Sequence, residues 1–318
     1  MTMAAPSLIP EMGEFNVSNH LLGDREGLKA AWERDGYWFF RDVLDKQAIA
    51  ELRQIYMDYL GELGVADPHD PDARYNGADL SVMPAMVNET AMNERRVDRV
   101  LHRDPRIAAF FRRLFGCDPF WVPFTVHRQV PPARDRDTRQ LEFIHQDGTY
   151  NDGLDFLICW IPLAEIAPEV GGLALVEGVH RRGSLHRKDG MKILPIAEAD
   201  MEIGRWRSTH YRPGDVLLMD LNTPHSGITN HSDRFRLSVD TRIMPSNGNV
   251  PVVGTIAAVS ADGVTIGDRA LRFDATSFVR GLRGDQMPLA DIPGRYRVGQ
   301  EVIAAVTGDL VRNMRPIQ

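Results

Sequence analysis

The chain changes character near residue 118, and that change limits its folds more than any other feature. Up to Gly116 the apolar residues recur at helical spacing. Beyond it come "FWVPFTVHRQV", "DFLICWIPL", "GLALVEG", "DVLLMDL" and "FRLSVDTRIM". These runs are short, rich in β-branched and aromatic residues, and bounded by Pro, Gly or Asp, which is the signature of strands. Helices first and strands later predict an α+β chain with an antiparallel sandwich or barrel. The 318 residues fit one large domain, or one domain with an appendage.

Residues 1–22 have no clear period and are expected to form an extended arm. "DREGLKAAWERDG" reads as a helix with Asp24 as its cap and Gly36 as its stop. "YWFFRDVL" is a short strand. A second helix follows a cap at Asp45, with Ile49, Leu52, Ile55, Met57, Tyr59 and Leu60 at near-helical spacing. Residues 65–85, rich in Asp, Pro and Gly, predict a loop lying over a site. Helices resume over 88–102, and Asp104-Pro105 opens another that runs to Gly116. The tail, 246–318, contains two strands around an Asp-Gly turn, and "YRVGQEVIAAV" predicts one more.

The net charge of −7 argues against a nucleic-acid partner, while leaving room for a local basic pocket. Cys117 and Cys159 are the only cysteines and form no CxxC or zinc-like cluster. The N-terminus lacks a basic, then apolar, leader pattern, and no apolar run reaches membrane-span length. The expectation is a cytoplasmic protein with a small-molecule partner and no membrane. A homodimer is allowed.

Three His-x-Asp triplets are present: His102/Asp104, His145/Asp147 and His231/Asp233. With 10 His and 44 acidic residues among 318, roughly one or two His-x-acid triplets arise by chance. Asp104 has a sufficient role as a helix cap, and His231 and Asp233 lie in a polar turn. His145 and Asp147 instead follow the apolar "LEFI" on chain that reads as extended, where residues i and i+2 share a face. His225, just past the "VLLMDL" strand, offers a third ligand. Two His and one carboxylate with open positions is the facial triad of non-haem Fe(II) oxygenases. A zinc hydrolase can use the same set, although no positioned general base favours it.

In "RFRLSVDTRI", Phe235, Leu237, Val239 and Thr241 alternate with Arg236, Ser238, Asp240 and Arg242. The charged set reads either as an exposed polar face or as a polar-lined interior that needs an anionic ligand.

"WERDGYWFFRDVLDKQAIAELR" resembles the entry of the phytanoyl-CoA dioxygenase family of Fe(II)/2-oxoglutarate oxygenases. "HQDGTYNDGLDFLICWIPLAEIAPEVGGLALVEGVHRRGSL" resembles its metal strand and following hairpin, with the Gly178–Gly183 turn. "GDVLLMDLNTPHSGITNHSDRFR" resembles its distal-His segment. The likeness covers roughly residues 28–245. It implies a jelly-roll (double-stranded β-helix, cupin-like) core flanked by N-terminal helices over 1–245, with 246–318 as a β-rich extension packed on or near that core.

The resemblance further implies that His145, Asp147 and His225 hold Fe(II). Arg236 would bind the far carboxylate of 2-oxoglutarate, and Ser238 completes an Arg-x-Ser pattern. Trp160 matches an aromatic beside the co-substrate, or is a core residue. Thr125, His127 and Gln129 would share one strand face and meet co-substrate or substrate, and Arg242 would meet substrate. With O2, such an enzyme oxidises an unactivated C–H of a small metabolite or natural product, releasing succinate and CO2. Hydroxylation leads; desaturation, epoxidation and cyclisation use the same cofactors. Asp147 at the third ligand position disfavours halogenation, where chloride needs that place. Ser226 stands where the family has Gly. A noncatalytic metabolite-binding jelly roll is the alternative from another class. His180 and His186 read as part of a solvated basic loop in which Arg181, Arg182 and Lys188 could attract an anion.

Overall fold

A computed structural model describes residues 10–83, 89–134, 140–150, 154–189, 192–201, 205–280 and 287–317. The helices start and stop where their caps predict. Asp24 accepts from Gly27 N to open α1 (Arg25–Asp35), and Gly36 ends it in the left-handed region. β1 (Tyr37–Phe40) follows, then α2 (Lys46–Glu62), capped by Asp45 accepting from Ala48 N. α3 (Glu89–Glu94) and α4 (Val97–Leu101) are separated by Arg96, which itself takes a left-handed conformation. Asp104 accepts from Arg106 N at the head of α5 (Pro105–Phe115), confirming its cap role. The loop expected over 65–85 is described only to residue 83.

The strands then run β2 (Pro119–Val130), β3 (Leu157–Pro162), β4 (Leu173–Val176), β5 (Lys188–Asp189), β6 (Lys192–Ile193), β7 (Trp206–Arg207), β8 (Val216–Met219), β9 (His225–Gly227) and β10 (Arg236–Pro245). A five-stranded antiparallel sheet has the order β1-β8-β3-β10-β2, and a smaller one has β7-β4-β9. Residues 141–145 extend the smaller sheet through bridges Leu141↔Ile228 and His145↔His225. The two sheets form the jelly-roll core.

Register decides what each face does. Directly opposed residues of an antiparallel pair share a face, so Asp240↔Trp160↔Leu217↔Phe39 lie on one side of the large sheet. That side joins an apolar cluster inside the jelly roll, with Tyr211, Ile158 and Leu175. The alternate residues Leu237, Val239, Cys159, Ile161 and Leu218 pack with α2, α4 and α5. Arg236, Ser238, Asp240 and Arg242 are therefore interior, with exposures of 6%, 0%, 8% and 3%, and the exposed-face reading of this strand is excluded. β2 is an edge strand, which tolerates its Pro123. Its register against β10 shifts between Asp240 and Arg242, leaving residues 123–125 bulged.

The tail forms more strands than its sequence predicts: β11 (Val252–Val259), β12 (Gly263–Ile266), β13 (Arg269–Arg272), β14 (Phe278–Val279), β15 (Glu301–Thr307) and β16 (Leu310–Pro316), with the short α6 (Ile292–Arg295). Asp262-Gly263 sits between β11 and β12 as expected. A β13–β16 pairing closes this sheet into a small barrel around its own core of Val264, Ile266, Val279, Val302 and Met314. Ile303 and Ala305 of β15 face the other way and bury in the jelly-roll interior cluster beside Met244.

Candidate metal centre

His145 and His225 face each other across a two-residue ladder. Each backbone N–H donates to the other residue's carbonyl, at 3.0 and 2.9 Å. Both side chains consequently leave the same face, and their ring centroids lie 4.3 Å apart. The triplet is not a regular strand as expected. His145 alone makes the bridge, and Asp147 opens a 3-10 turn (Asp147–Tyr150). That turn brings Asp147 Oδ1 to 3.3 Å from His145 Nε2. One nitrogen from each His and a carboxylate oxygen of Asp147 lie within 4.8 Å of one another.

Backbone carbonyls set the tautomers. His145 Nδ1 lies 3.1 Å from the Phe143 carbonyl, and His225 Nδ1 lies 3.0 Å from that of Thr223. A carbonyl only accepts, so each Nδ1 carries a proton and each Nε2 is the nitrogen turned toward the centre. Burial, then the neighbouring His145, pushes His225 down to about 4, so its ring is neutral. Burial alone would raise the Asp147 carboxyl; the Arg242 guanidinium beside it holds it well below the usual carboxylate range. Two imidazoles, each hydrogen-bonded through Nδ1 to a backbone carbonyl, and one carboxylate, with further positions open, suit iron(II).

Residues outside the expected set hold this loop. Gln146 sits fully buried between His145 and Asp147. Its amide donates to the carbonyls of Gly183 and Asn222 and accepts from Leu185 N. His186 Nε2 accepts from Gln146 N at 3.2 Å while its Nδ1 donates to Leu194 O. His180 and His186 are both buried, which corrects the solvated-loop reading. Arg181 and Arg182 donate to the carbonyls of Glu33 and Asp200, and the Lys188 side chain lies outside the described residues.

Deeper along β10, Arg236 Nη1 donates to the carbonyls of Gly171 at 2.6 Å and Ile228 at 3.0 Å, and Nη2 lies 3.7 Å from Glu142. Its Nε and the Ser238 hydroxyl are buried without a hydrogen-bond partner among the described residues. Buried polar atoms in that state call for a polar ligand. Trp160 is on the same face, packed on Tyr211 at 4.7 Å. Arg128, opposite Ser238 in register, also lies on this face and was not singled out from sequence.

Thr125, His127 and Gln129 do share a face, but it is the helix side of the sheet. His127 Nδ1 meets the Tyr56 hydroxyl at 2.5 Å, Gln129 donates to the Met92 sulfur, and Thr125 Oγ1 lies 3.2 Å from Thr241 Oγ1. Opposition to Leu237 and Val239 fixes that orientation. They are not placed against the metal centre. Arg242, expected to meet substrate, donates from Nη2 to Asp147 Oδ2 at 2.8 Å. Ser226 turns its hydroxyl onto the Gly227 carbonyl.

The phytanoyl-CoA dioxygenase (PhyH) family model matches residues 32–238, a span that includes His145, Asp147 and His225. The chain belongs to the phytanoyl-CoA dioxygenase family. Two relatives are each described as a 1-deoxypentalenic acid 11-beta-hydroxylase. The one from Streptomyces arenae is 30% identical over 249 residues, covering 72% of this chain and 84% of the relative. The one from Streptomyces exfoliatus is 28% identical over 242 residues, with the same coverage. A crystal structure of the epimerase SnoN with Fe3+, alpha ketoglutarate and nogalamycin RO is 23% identical. It has a TM-score of 0.49 and covers 91% of this chain and 97% of that one. Family membership and the His-Asp-His set make this PhyH protein a 2-oxoglutarate-dependent non-haem iron oxygenase.

Proposed function

We propose that this PhyH enzyme hydroxylates an unactivated C–H bond of a small-molecule natural product, releasing succinate and CO2. The observation that carries this reading is the His145/Asp147/His225 set, each His bonded through Nδ1 to a backbone carbonyl, together with the buried Arg236/Ser238 pair on β10. His145, Asp147 and His225 hold the iron. Arg236, pinned by the Gly171 and Ile228 carbonyls, presents Nε and Nη2 to the far carboxylate of 2-oxoglutarate. Bound iron supplies the O2-dependent oxidation that no amino-acid side chain can perform. Trp160, Tyr211, Ile158 and Leu175 form an apolar cluster inside the jelly roll, on the side of the large sheet that carries Asp240 and Arg242. The two free cysteines fit a reducing cytoplasm. No helix among the described residues is long and apolar enough to cross a membrane.

The test is a panel of terpenoid and polyketide natural products, including 1-deoxypentalenic acid, in an anaerobic-to-aerobic shift. Each compound is scored for stimulated succinate formation and for product mass. Gain of one oxygen atom supports hydroxylation. Loss of two hydrogens with succinate release replaces it with desaturation or cyclisation. Absence of stimulated succinate across the panel contradicts the natural-product reading.

A further inference from the structure

Arg236 already faces a carboxylate of its own chain. Glu142 Oε2 lies 3.7 Å from Arg236 Nη2, while Nη1 is taken up by the Gly171 and Ile228 carbonyls. At that distance the two charges attract without a short, directed hydrogen bond. Arg236 Nε has no hydrogen-bond partner among the described residues. Glu142 therefore offsets the charge of Arg236 but does not engage Nε and Nη2 as the donor pair that a bidentate carboxylate takes.

The backbone at Glu142 is fixed, and its side chain reaches solvent. Glu142 N donates to the Gly227 carbonyl at 2.9 Å, between the bridges Leu141↔Ile228 and His145↔His225. The Glu142 side chain is 40% exposed, whereas that of Arg236 is 7% exposed. The two meet because residue 227 is glycine: a Cβ there would run into Glu142 Oε2 and lie 3.2 Å from Arg236 Nη2. Burial pulls the Arg236 guanidinium below its ordinary value. Glu142 works against that pull, and the like charge of Arg128 adds to it. A buried cation is costly without an anion beside it.

We propose that Glu142 competes with the far carboxylate of 2-oxoglutarate for Arg236, the two taking turns on its Nε–Nη2 edge. The inference rests on the co-substrate reading of Arg236 and adds an internal competitor to it. Two carboxylates on one guanidinium edge repel each other, so the incoming one turns the Glu142 side chain out to water. The co-substrate wins by bringing two parallel hydrogen bonds, where Glu142 brings one long contact. Its apparent affinity is reduced by the fraction of molecules in which Glu142 holds the edge. A 2-oxo acid without a second carboxylate leaves Glu142 in place. Glu142 acts through Arg236 and is not a catalytic residue.

The test is calorimetric titration of the full chain, loaded anaerobically with Fe(II), with 2-oxoglutarate and with pyruvate. The two share the 2-oxo acid end and differ in the far carboxylate. Glu142→Gln is expected to bind 2-oxoglutarate about fivefold more tightly than wild type, the scale of removing one partly exposed ion pair. Its pyruvate affinity stays at the wild-type value. In an Arg236→Gln background the same substitution leaves 2-oxoglutarate binding unchanged. Unchanged or weaker 2-oxoglutarate binding by folded Glu142→Gln overturns the proposal. So does equal tightening of pyruvate, or a gain that persists without Arg236. Glutarate, which lacks the 2-oxo group, is titrated into the metal-free proteins, and the visible band of the iron–2-oxoglutarate complex is recorded on the loaded ones. If wild type lacks that band while Glu142→Gln still binds glutarate more tightly, the cofactor reading fails and the competition at Arg236 stands. Glutarate affinity that does not rise in Glu142→Gln overturns the competition itself.

Discussion

Asp147 divides its carboxylate, giving Oδ2 to Arg242 Nη2 at 2.8 Å and leaving Oδ1 on the side of His145 Nε2, 3.3 Å away. Arg242 therefore both orients the ligand and keeps it ionised. Arg242→Met is expected to weaken iron(II) binding about 10- to 100-fold, the usual effect of losing a partner of a metal ligand. Arg242→Lys recovers part of it. Equilibrium titration with Fe(II) under anaerobic conditions measures both; unchanged affinity in Arg242→Met contradicts the assigned role.

Arg236 depends on a backbone cradle. The Gly171 carbonyl accepts from Nη1, and Gly171 has a φ of 72°. A Cβ there would run into the carbonyl oxygens of Ile228 and Thr229. Arg236→Ala is expected to cost about 1.5–3 kcal/mol of 2-oxoglutarate binding, the worth of charged hydrogen bonds, with a much smaller effect on iron. Gly171→Ala is expected to lower the same affinity by displacing the cradle, and to lower thermal stability as well. Parallel titrations of iron and co-substrate separate the two effects.

Behind the sheet, burial pushes His102 and His127 each down to about 4. Both are neutral in the folded chain. Their ordinary value is 6.5, so below that pH the unfolded chain takes up the protons first. Their contribution is fully present above pH 6.5 and is lost as pH falls toward 4. The loss is on the order of 3 kcal/mol per histidine at the low end. Urea unfolding at pH 7 and pH 5 should show the decline. His127→Gln keeps a partner for the Tyr56 hydroxyl and should flatten it.

The barrel is held to the jelly roll partly through Ile303, which is buried among the interior cluster. Ile303→Ala is expected to destabilise the chain by about 2–5 kcal/mol, as for buried aliphatic truncations generally. A single shifted transition in thermal unfolding indicates that barrel and core unfold together. A barrel transition that separates from an unshifted core transition contradicts the docking role.

Local pattern made much of this molecule legible. The caps at Asp24, Asp45 and Asp104 depend only on nearby backbone, and each was readable from a few residues. The alternation in "RFRLSVDTRI" defined two faces, although only the paired strands and helices decide that the charged one is inside. The same period placed Thr125, His127 and Gln129 together but not on which side. That side follows from pairing with Leu237 and Val239, far away in sequence. Gln146, His186 and Arg128 carry no local signal, because their partners come from other segments. The six-stranded barrel was only half visible, since strands such as Phe278–Val279 are too short to show a period.

The central claim is that His145, Asp147 and His225 hold iron to which 2-oxoglutarate binds. Anaerobic absorption spectroscopy of the full chain with Fe(II) and 2-oxoglutarate tests it most directly. The account predicts a weak visible metal-to-ligand charge-transfer band that disappears in folded His225→Ala. A wild-type protein that is folded and iron-loaded yet shows no band, or a His225→Ala that keeps the full band, contradicts it.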